Sequence, residues 1–199
     1  MNNRGDEHYT KKAKKEWYLA RSAYKLMELD EKYHLLEGVS TALDIGCAPG
    51  SWLQYMSTAV SQDAHDTQII WFDLKEVMIQ LPWVTSYVQD ISDKEWVQRI
   101  LDQEGIQQID LIVSDMAPDT IGMPDIDAIR CIWLIEKTLW IYDGYLKESG
   151  KFAIKIFMWP GYDEFIRELK AKYGASNIVT YKPKSCRPKS KEIYVVKRV

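Results

Sequence analysis

The chain has 199 residues, 46% hydrophobic and 28% charged, with a formal net charge of −3. A chain this long buries roughly 70% of its unfolded surface, enough to fold as one domain without a disulfide or metal staple. No apolar run reaches the ~18–20 residues that span a bilayer; residues 1–15 are too polar for a signal peptide, and Cys47, Cys131 and Cys186 are spaced as neither a disulfide framework nor a zinc site.

These features point to a reduced, soluble protein of the cytoplasm, with no membrane partner and no metal, acting as a monomer. Its charge is uneven. Residues 1–32 hold 8 Lys/Arg against 6 Asp/Glu, residues 33–180 hold 11 against 22, and residues 181–199 hold 7 against 1. An acidic body with basic ends is compatible with binding a polyanion at one local surface, or with ends that only solubilise.

The first 40 residues read as a helical preamble. Lys11, Lys12, Lys14, Lys15 and Arg21 lie there, with Trp17 and Tyr18 between them. Aromatics among basic residues suit a splayed, stacked nucleotide, and equally the buried face of an amphipathic helix. Lys25 then interrupts an apolar pattern in residues 21–26.

From residue 41 onward, strands alternate with helices. Residues 41–46, 68–73, 84–90, 109–114 and 151–157 read as strands, mostly continuous apolar runs covered on both faces. Helices are expected within 52–60, 92–104, 125–146 and 162–173. Ser92 and Glu95 fit a capping box, and Gly105 fits a helix stop. Two last strands, 177–182 and 192–197, lack a helix between them and should pair as an antiparallel hairpin at the sheet edge. The pattern predicts an α/β fold with a mostly parallel, doubly wound sheet and helices on both faces.

Ligands of such sheets sit at the carboxyl ends of the strands. The first strand runs into Leu43-Asp-Ile-Gly-Cys-Ala-Pro-Gly-Ser-Trp52, where Gly46 and Gly50 permit a tight turn against a ligand. The spacing matches neither a dinucleotide fingerprint nor a phosphate loop. Asp73 ends the second strand, where it can accept ribose hydroxyls, and Asp90 ends the third, placed to meet an adenine amino group. Ordinary turn residues are the plainer reading of either aspartate alone. Acidic strand ends around a glycine turn suit a nucleoside carrying a positive centre, as S-adenosylmethionine does. The fourth strand ends at Asp115. The fifth carries Lys155 in an apolar run, a costly place for a lysine unless it is paired. Glu192 opens the last strand.

Residues 21–26, 43–54, 114–118, 154–157 and 182–196 together resemble the FtsJ/RrmJ-type family of RNA ribose 2′-O-methyltransferases, and the resemblance covers nearly all of the chain. It implies a Rossmann-like methyltransferase fold of seven strands with an antiparallel last strand. A single methyltransferase domain would span residues 1–199, as a preamble over 1–40 and a core over 41–199. It places a Lys-Asp-Lys-Glu tetrad on Lys25, Asp115, Lys155 and Glu192. Cofactor contacts for S-adenosylmethionine fall on Gly46, Gly50, Trp52, Asp73, Asp90 and Asp115. The chain departs from the family pattern at Ser51, where a second glycine is usual, at Asp119, where asparagine is common, and at Trp159-Pro160.

A ribose hydroxyl does not ionise at neutral pH. Lys155, the lysine expected nearest to it, either takes its proton as a neutral amine or stabilises the developing oxyanion as an ammonium, together with Lys25. The basic loop 182–191 leads into Glu192, so Lys184, Arg187 and Lys189 are expected on RNA phosphates, together with Lys11, Lys12, Lys15 and Arg21. The expected substrate is a uridine of large-subunit ribosomal RNA, as free RNA or assembled subunit, with tRNA next. A catalytically idle RNA-binding assembly protein is the alternative from another class, opposed by the intact tetrad.

Overall fold

Period-two alternation in the strands sends neighbouring side chains to opposite faces of one sheet. The computed structural model describes residues 4–62, 67–77, 79, 81, 83–118, 121–158 and 161–199. Asp119 and Trp159-Pro160 lie outside the described residues.

Helices α1 (Arg4–Lys15) and α2 (Ala23–Tyr33) precede β1 (Thr41–Ile45). There follow α3 (Ser51–Gln62), β2 (Gln68–Asp73), β3 (Val84–Val88), α4 (Lys94–Gln103) and β4 (Ile109–Ser114). The chain continues through α5 (Pro124–Glu136), α6 (Leu139–Tyr145), β5 (Leu146–Phe157), α7 (Tyr162–Tyr173), β6 (Ile178–Tyr181) and β7 (Glu192–Lys197). The strand order is β3-β2-β1-β4-β5-β7-β6. β1 pairs in parallel with both β2 and β4, and β7 runs antiparallel between β5 and β6. The strand order reverses between β1 and β4, which is where doubly wound sheets open a ligand crevice.

Each face buries its own core. Leu43, Ile45, Ile70, Phe72, Ile112 and Phe152 pack under α4, α5, α6 and α7, through Val97, Ile100, Cys131, Ile135, Ile141 and Ile166. Ala42, Trp71, Leu111, Val113, Ala153 and Tyr194 pack under α2 and α3, through Leu26, Leu29, Leu53 and Met56.

Three boundaries differ from the sequence reading. The α4 cap is Asp93, whose side chain accepts from the Trp96 backbone N–H at 3.2 Å, so the capping box at Ser92 is replaced by a cap one residue later. The stretch 125–146 divides into α5 and α6. There the Thr138 hydroxyl donates to the Ile135 carbonyl at 2.7 Å, and the Thr138 N–H takes the same oxygen at 2.8 Å, ending the ladder locally. β5 begins at Leu146 and carries a register shift opposite Ile109 and Leu111. The buried Lys197 Nζ donates to the Glu148 and Gly150 carbonyls in that irregular segment. Of the final hairpin, only β6 forms the sheet edge.

Candidate active site

The turn from β1 into α3 is built on two glycines that no larger residue replaces without strain. Gly46 has φ +76°, and a Cβ there would lie 2.4 Å from Met116 Cγ and 3.0 Å from Met116 Cα. Gly50 has φ +101°, and its Cβ would meet Val77 and Ile79 at 2.7 Å. Asp73 clasps this turn: Oδ2 accepts from the Ala48 N–H at 2.8 Å and Oδ1 from the Lys75 N–H at 2.9 Å. Asp90 Oδ1 accepts from the Ser92 N–H at 2.8 Å, which holds its carboxyl below the usual carboxylate range against the opposing effect of burial. Both aspartates therefore shape turns and, at the same time, line a ligand-sized space.

That space is a cavity of about 560 Å³ at the carboxyl ends of the central strands, lined by Gly46, Asp73, Asp90, Asp115, Met116 and Trp133 among others. Gly50 and Trp52 are not among its described lining residues. Trp52 is buried: its Nε1–H donates to the Ser22 carbonyl at 2.7 Å, and its ring lies 5.9 Å from that of Tyr194. Asp44, two residues before Gly46, is fully buried, and neither carboxyl oxygen has a hydrogen-bond partner among the described residues. Burial first, then the nearby Asp115 and Asp73 carboxylates, push its pKa well above the ordinary value.

The four tetrad side chains arrive from four elements and meet. Lys25, buried on α2, lies 2.5 Å from Glu192 Oε1 and 3.7 Å from Asp115 Oδ2. Lys155, buried on β5, lies 3.0 Å from Asp115 Oδ1 and also donates to the Asp115 carbonyl. Burial alone would lower the Lys25 pKa, but Asp115 and Glu192 reverse it to a net rise. For Asp115, burial opposes ionisation, and the Lys155 and Lys25 ammonium charges overcome it, so its pKa is lowered. The cluster is a set of alternating charges that sustain one another away from water.

Three members of this constellation were absent from the sequence reading. Tyr194 faces Lys155 across the β5–β7 ladder, and its hydroxyl lies 2.7 Å from Asp115 Oδ1 and 3.0 Å from Glu192 Oε1. Its place two residues after Glu192 on a strand was the available signal, since strand residues i and i+2 share a face. Asp44 was signalled by a carboxylate inside an apolar strand. Glu28 lies one helical turn after Lys25. Its carboxylate accepts from the backbone N–H groups of Lys184, at 2.6 Å, and Ser185, at 2.9 Å.

Glu28 thus fixes the basic loop to the helix that carries Lys25. Lys182 ties the same loop to itself, donating to the Ser190 carbonyl at 2.5 Å. Lys184, Arg187 and Lys189 point outward from the loop as exposed residues. Cys186 turns inward, 3.4 Å from Glu192 Oε1. At the other end of the chain, Lys11 and Lys15 are exposed on α1, and Arg21 is half-buried. Lys12 sits 4.4 Å from the Tyr24 ring centroid and 4.0 Å from Glu16. Tyr9 of α1 feels the Glu28 carboxylate, which adds to burial in raising its pKa, so α1 and the basic loop flank α2 together.

Comparison with known proteins agrees with this architecture. The chain is 37% identical over 194 residues to ribosomal RNA large subunit methyltransferase E of Desulforapulum autotrophicum, covering 98% of this chain and 92% of that protein. It is 38% identical over 190 residues to the protein of the same name from Desulfatibacillum aliphaticivorans, covering 96% and 88%. A crystal structure from Plasmodium falciparum, described as a ribosomal RNA methyltransferase, superposes with a TM-score of 0.78 at 28% identity, covering 91% and 97% of the two chains. Residues 18–199 match the model of the FtsJ-like methyltransferases, so the chain is a methyltransferase and belongs to that family.

Proposed function

We propose that the protein transfers a methyl group from S-adenosylmethionine to a ribose 2′-hydroxyl of RNA, a uridine of large-subunit ribosomal RNA being the intended acceptor. The observation that carries this reading is the meeting of Lys25, Asp115, Lys155 and Glu192 beside the cavity. The curated relatives named as ribosomal RNA methyltransferases support the choice of substrate. The reading treats the chain as one domain, since the tetrad draws on α2 of the preamble and on β7. It acts as a monomer in the cytoplasm.

The residues fit the methyl donor. Asp73 and Asp90 offer acceptors for a nucleoside, Gly46 brings backbone to the cavity wall, and the carboxylates of Asp73, Asp90 and Asp115 give that wall the negative charge that a cationic ligand meets well. When bound, S-adenosylmethionine supplies a methyl group activated by attachment to a sulfonium.

The chain's own task is the acceptor. Lys155 Nζ is anchored twice by Asp115, through a carboxylate oxygen and a carbonyl. With the bond to Cε, those contacts fill three of its four tetrahedral directions, and among the described residues no partner takes the fourth. At that open position a neutral amine presents its lone pair to the hydroxyl proton, and an ammonium presents an N–H to the developing oxyanion. Lys25, held by Glu192, keeps a second positive charge close. Asp115 and Tyr194 fix Lys155 in position, so much of the rate comes from orientation. Glu28 carries the same order outward by anchoring the loop that bears Lys184, Arg187 and Lys189.

Labelled S-adenosylmethionine incubated with large subunits from cells lacking the modification, with free ribosomal RNA and with tRNA tests the reading. Label is expected in ribosomal RNA. Label in tRNA alone replaces the substrate, and cofactor binding with all three RNAs unlabelled overturns the RNA reading.

A further inference from the structure

Helix α1 ends in a backbone pattern made for glycine, and the residue in the critical position is tryptophan. Tyr18 N–H donates to the Ala13 carbonyl at 2.9 Å and Trp17 N–H to the Lys14 carbonyl at 3.4 Å. These are the two bonds of a Schellman cap, which requires a left-handed residue just past the helix. Trp17 fills it with φ +63°. A bulky side chain is disfavoured there because its Cβ crowds the backbone.

Packing does not compensate. Trp17 is 87% exposed, whereas Tyr18 is half-buried with its ring 6.1 Å from that of Tyr24, edge to face. Of the two aromatics, only Tyr18 joins the core of the preamble. The backbone around Trp17 is nevertheless held firmly. Gln54 of α3 donates from Nε2 to the Trp17 carbonyl at 3.1 Å and accepts the Leu19 N–H on Oε1 at 2.8 Å. One side-chain amide thereby ties both sides of Trp17 to the helix that follows the glycine turn. Strained residues kept in place by their surroundings collect at ligand-contacting positions.

We propose that the Trp17 indole is a stacking platform for one unpaired base of the RNA substrate. This rests on the RNA reading given above and names a part of that site. The setting favours a nucleic acid over an apolar partner. Lys11, Lys14 and Lys15 are exposed on the last turns of α1, and the half-buried Arg21 follows four residues after Trp17. The acidic neighbours are already engaged. Glu16 accepts from Tyr24 at 2.8 Å and lies 4.0 Å from Lys12, and Glu7 lies 3.9 Å from Lys11. A cationic surface holds the backbone while an exposed indole takes the base face, the combination that single-stranded nucleic acids use. Lys25 lies eight residues further along, so a base held on Trp17 bears on how the strand enters the tetrad.

The test compares wild type, Trp17→Gly and Trp17→Phe in binding a short fluorescein-labelled oligouridylate and an RNA duplex of equal length, followed by anisotropy. Trp17→Gly removes the ring and suits the left-handed backbone, so Tm should be unchanged or higher. Oligouridylate binding should weaken between about five-fold and about a hundred-fold. The slope of log affinity against log salt should stay at the wild-type value, because no charge is lost. Trp17→Phe should retain most of the affinity, and duplex binding should not change. Equal oligouridylate binding by Trp17→Gly and wild type overturns the stacking role while leaving the RNA reading intact. A fall in Tm for Trp17→Gly with RNA binding unchanged makes the ring a packing residue, and a change in sedimentation with RNA binding unchanged makes it a contact between copies; either overturns the proposal. Wild-type protein that binds neither RNA overturns the RNA reading and this one with it.

Discussion

Lys25 and Glu28, one turn apart on α2, divide the C-terminal segment between them. Lys25 lies 2.5 Å from the Glu192 carboxylate, while Glu28 takes the backbone N–H groups of Lys184 and Ser185. A single helix therefore sets both the charge cluster and the loop in front of it. The two functions are separable by mutation. Glu28→Gln keeps one acceptor oxygen and loses the charge, weakening two contacts of a kind worth about 1.5–3 kcal/mol each. The expected result is a rise in KM for RNA of up to about ten-fold with kcat near wild type, read from steady-state methyl transfer. A matching loss of kcat would mean that Glu28 acts on the tetrad itself.

Asp44, fully buried, and Asp115, half-buried, should give opposite pH dependences of stability. Asp115 has its folded pKa lowered, so its contribution is present above the ordinary carboxylate value of about 3.9 and is lost as pH falls through the folded value. Asp44 has its folded pKa raised, so its favourable contribution is present at acid pH and is lost as pH rises towards the folded value. In thermal melts at pH 7, Asp115→Asn should lower Tm, and Asp44→Asn should raise it by on the order of a few degrees. The Asp44→Asn gain should vanish near pH 4, where the native carboxyl is already protonated. Equal behaviour of Asp44→Asn at both pH values would contradict the assignment.

Affinity for RNA should fall steeply with salt, by a slope set by the number of phosphates neutralised, at about 0.7 per contact on a single strand. Replacing Lys184, Arg187 and Lys189 together by alanine should reduce that slope by about 2. An unchanged slope in filter binding would remove the loop from the interface.

The two turn glycines should differ. A Cβ at Gly46 meets Met116 backbone as well as its side chain, whereas one at Gly50 meets only the ends of Val77 and Ile79. Both positions also carry positive φ. Gly46→Ala should cost about 1–3 kcal/mol or more through overpacking and strain. Gly50→Ala should cost less, and denaturant unfolding of the two variants gives the comparison.

Much of this was legible before the structure because the signals were local. Strand–helix alternation predicted the sheet and its antiparallel end, and charges inside apolar runs marked Lys25, Lys155 and Glu192. What escaped depends on contacts between distant segments. Nothing near Glu28 announces the backbone of residues 184–185, and nothing near Trp52 says that its indole turns to Ser22 and Tyr194 instead of the cavity. The α4 cap moved by one residue because Ser92 and Asp93 are both good caps and only the local geometry chooses between them. Trp17 and Tyr18 are adjacent and chemically alike, and a left-handed turn separates their fates.

The central claim is that Lys155, fixed by Asp115, acts on a ribose hydroxyl. Its most direct test is methyl transfer from labelled S-adenosylmethionine to unmodified large subunits by wild type and Lys155→Ala, with alkaline hydrolysis of the RNA and circular dichroism of both proteins. The account predicts label in an alkali-resistant dinucleotide with wild type, and a loss of about 10²–10⁴-fold or more with the folded variant. Near-normal turnover by folded Lys155→Ala, or label released with the mononucleotides, would contradict it.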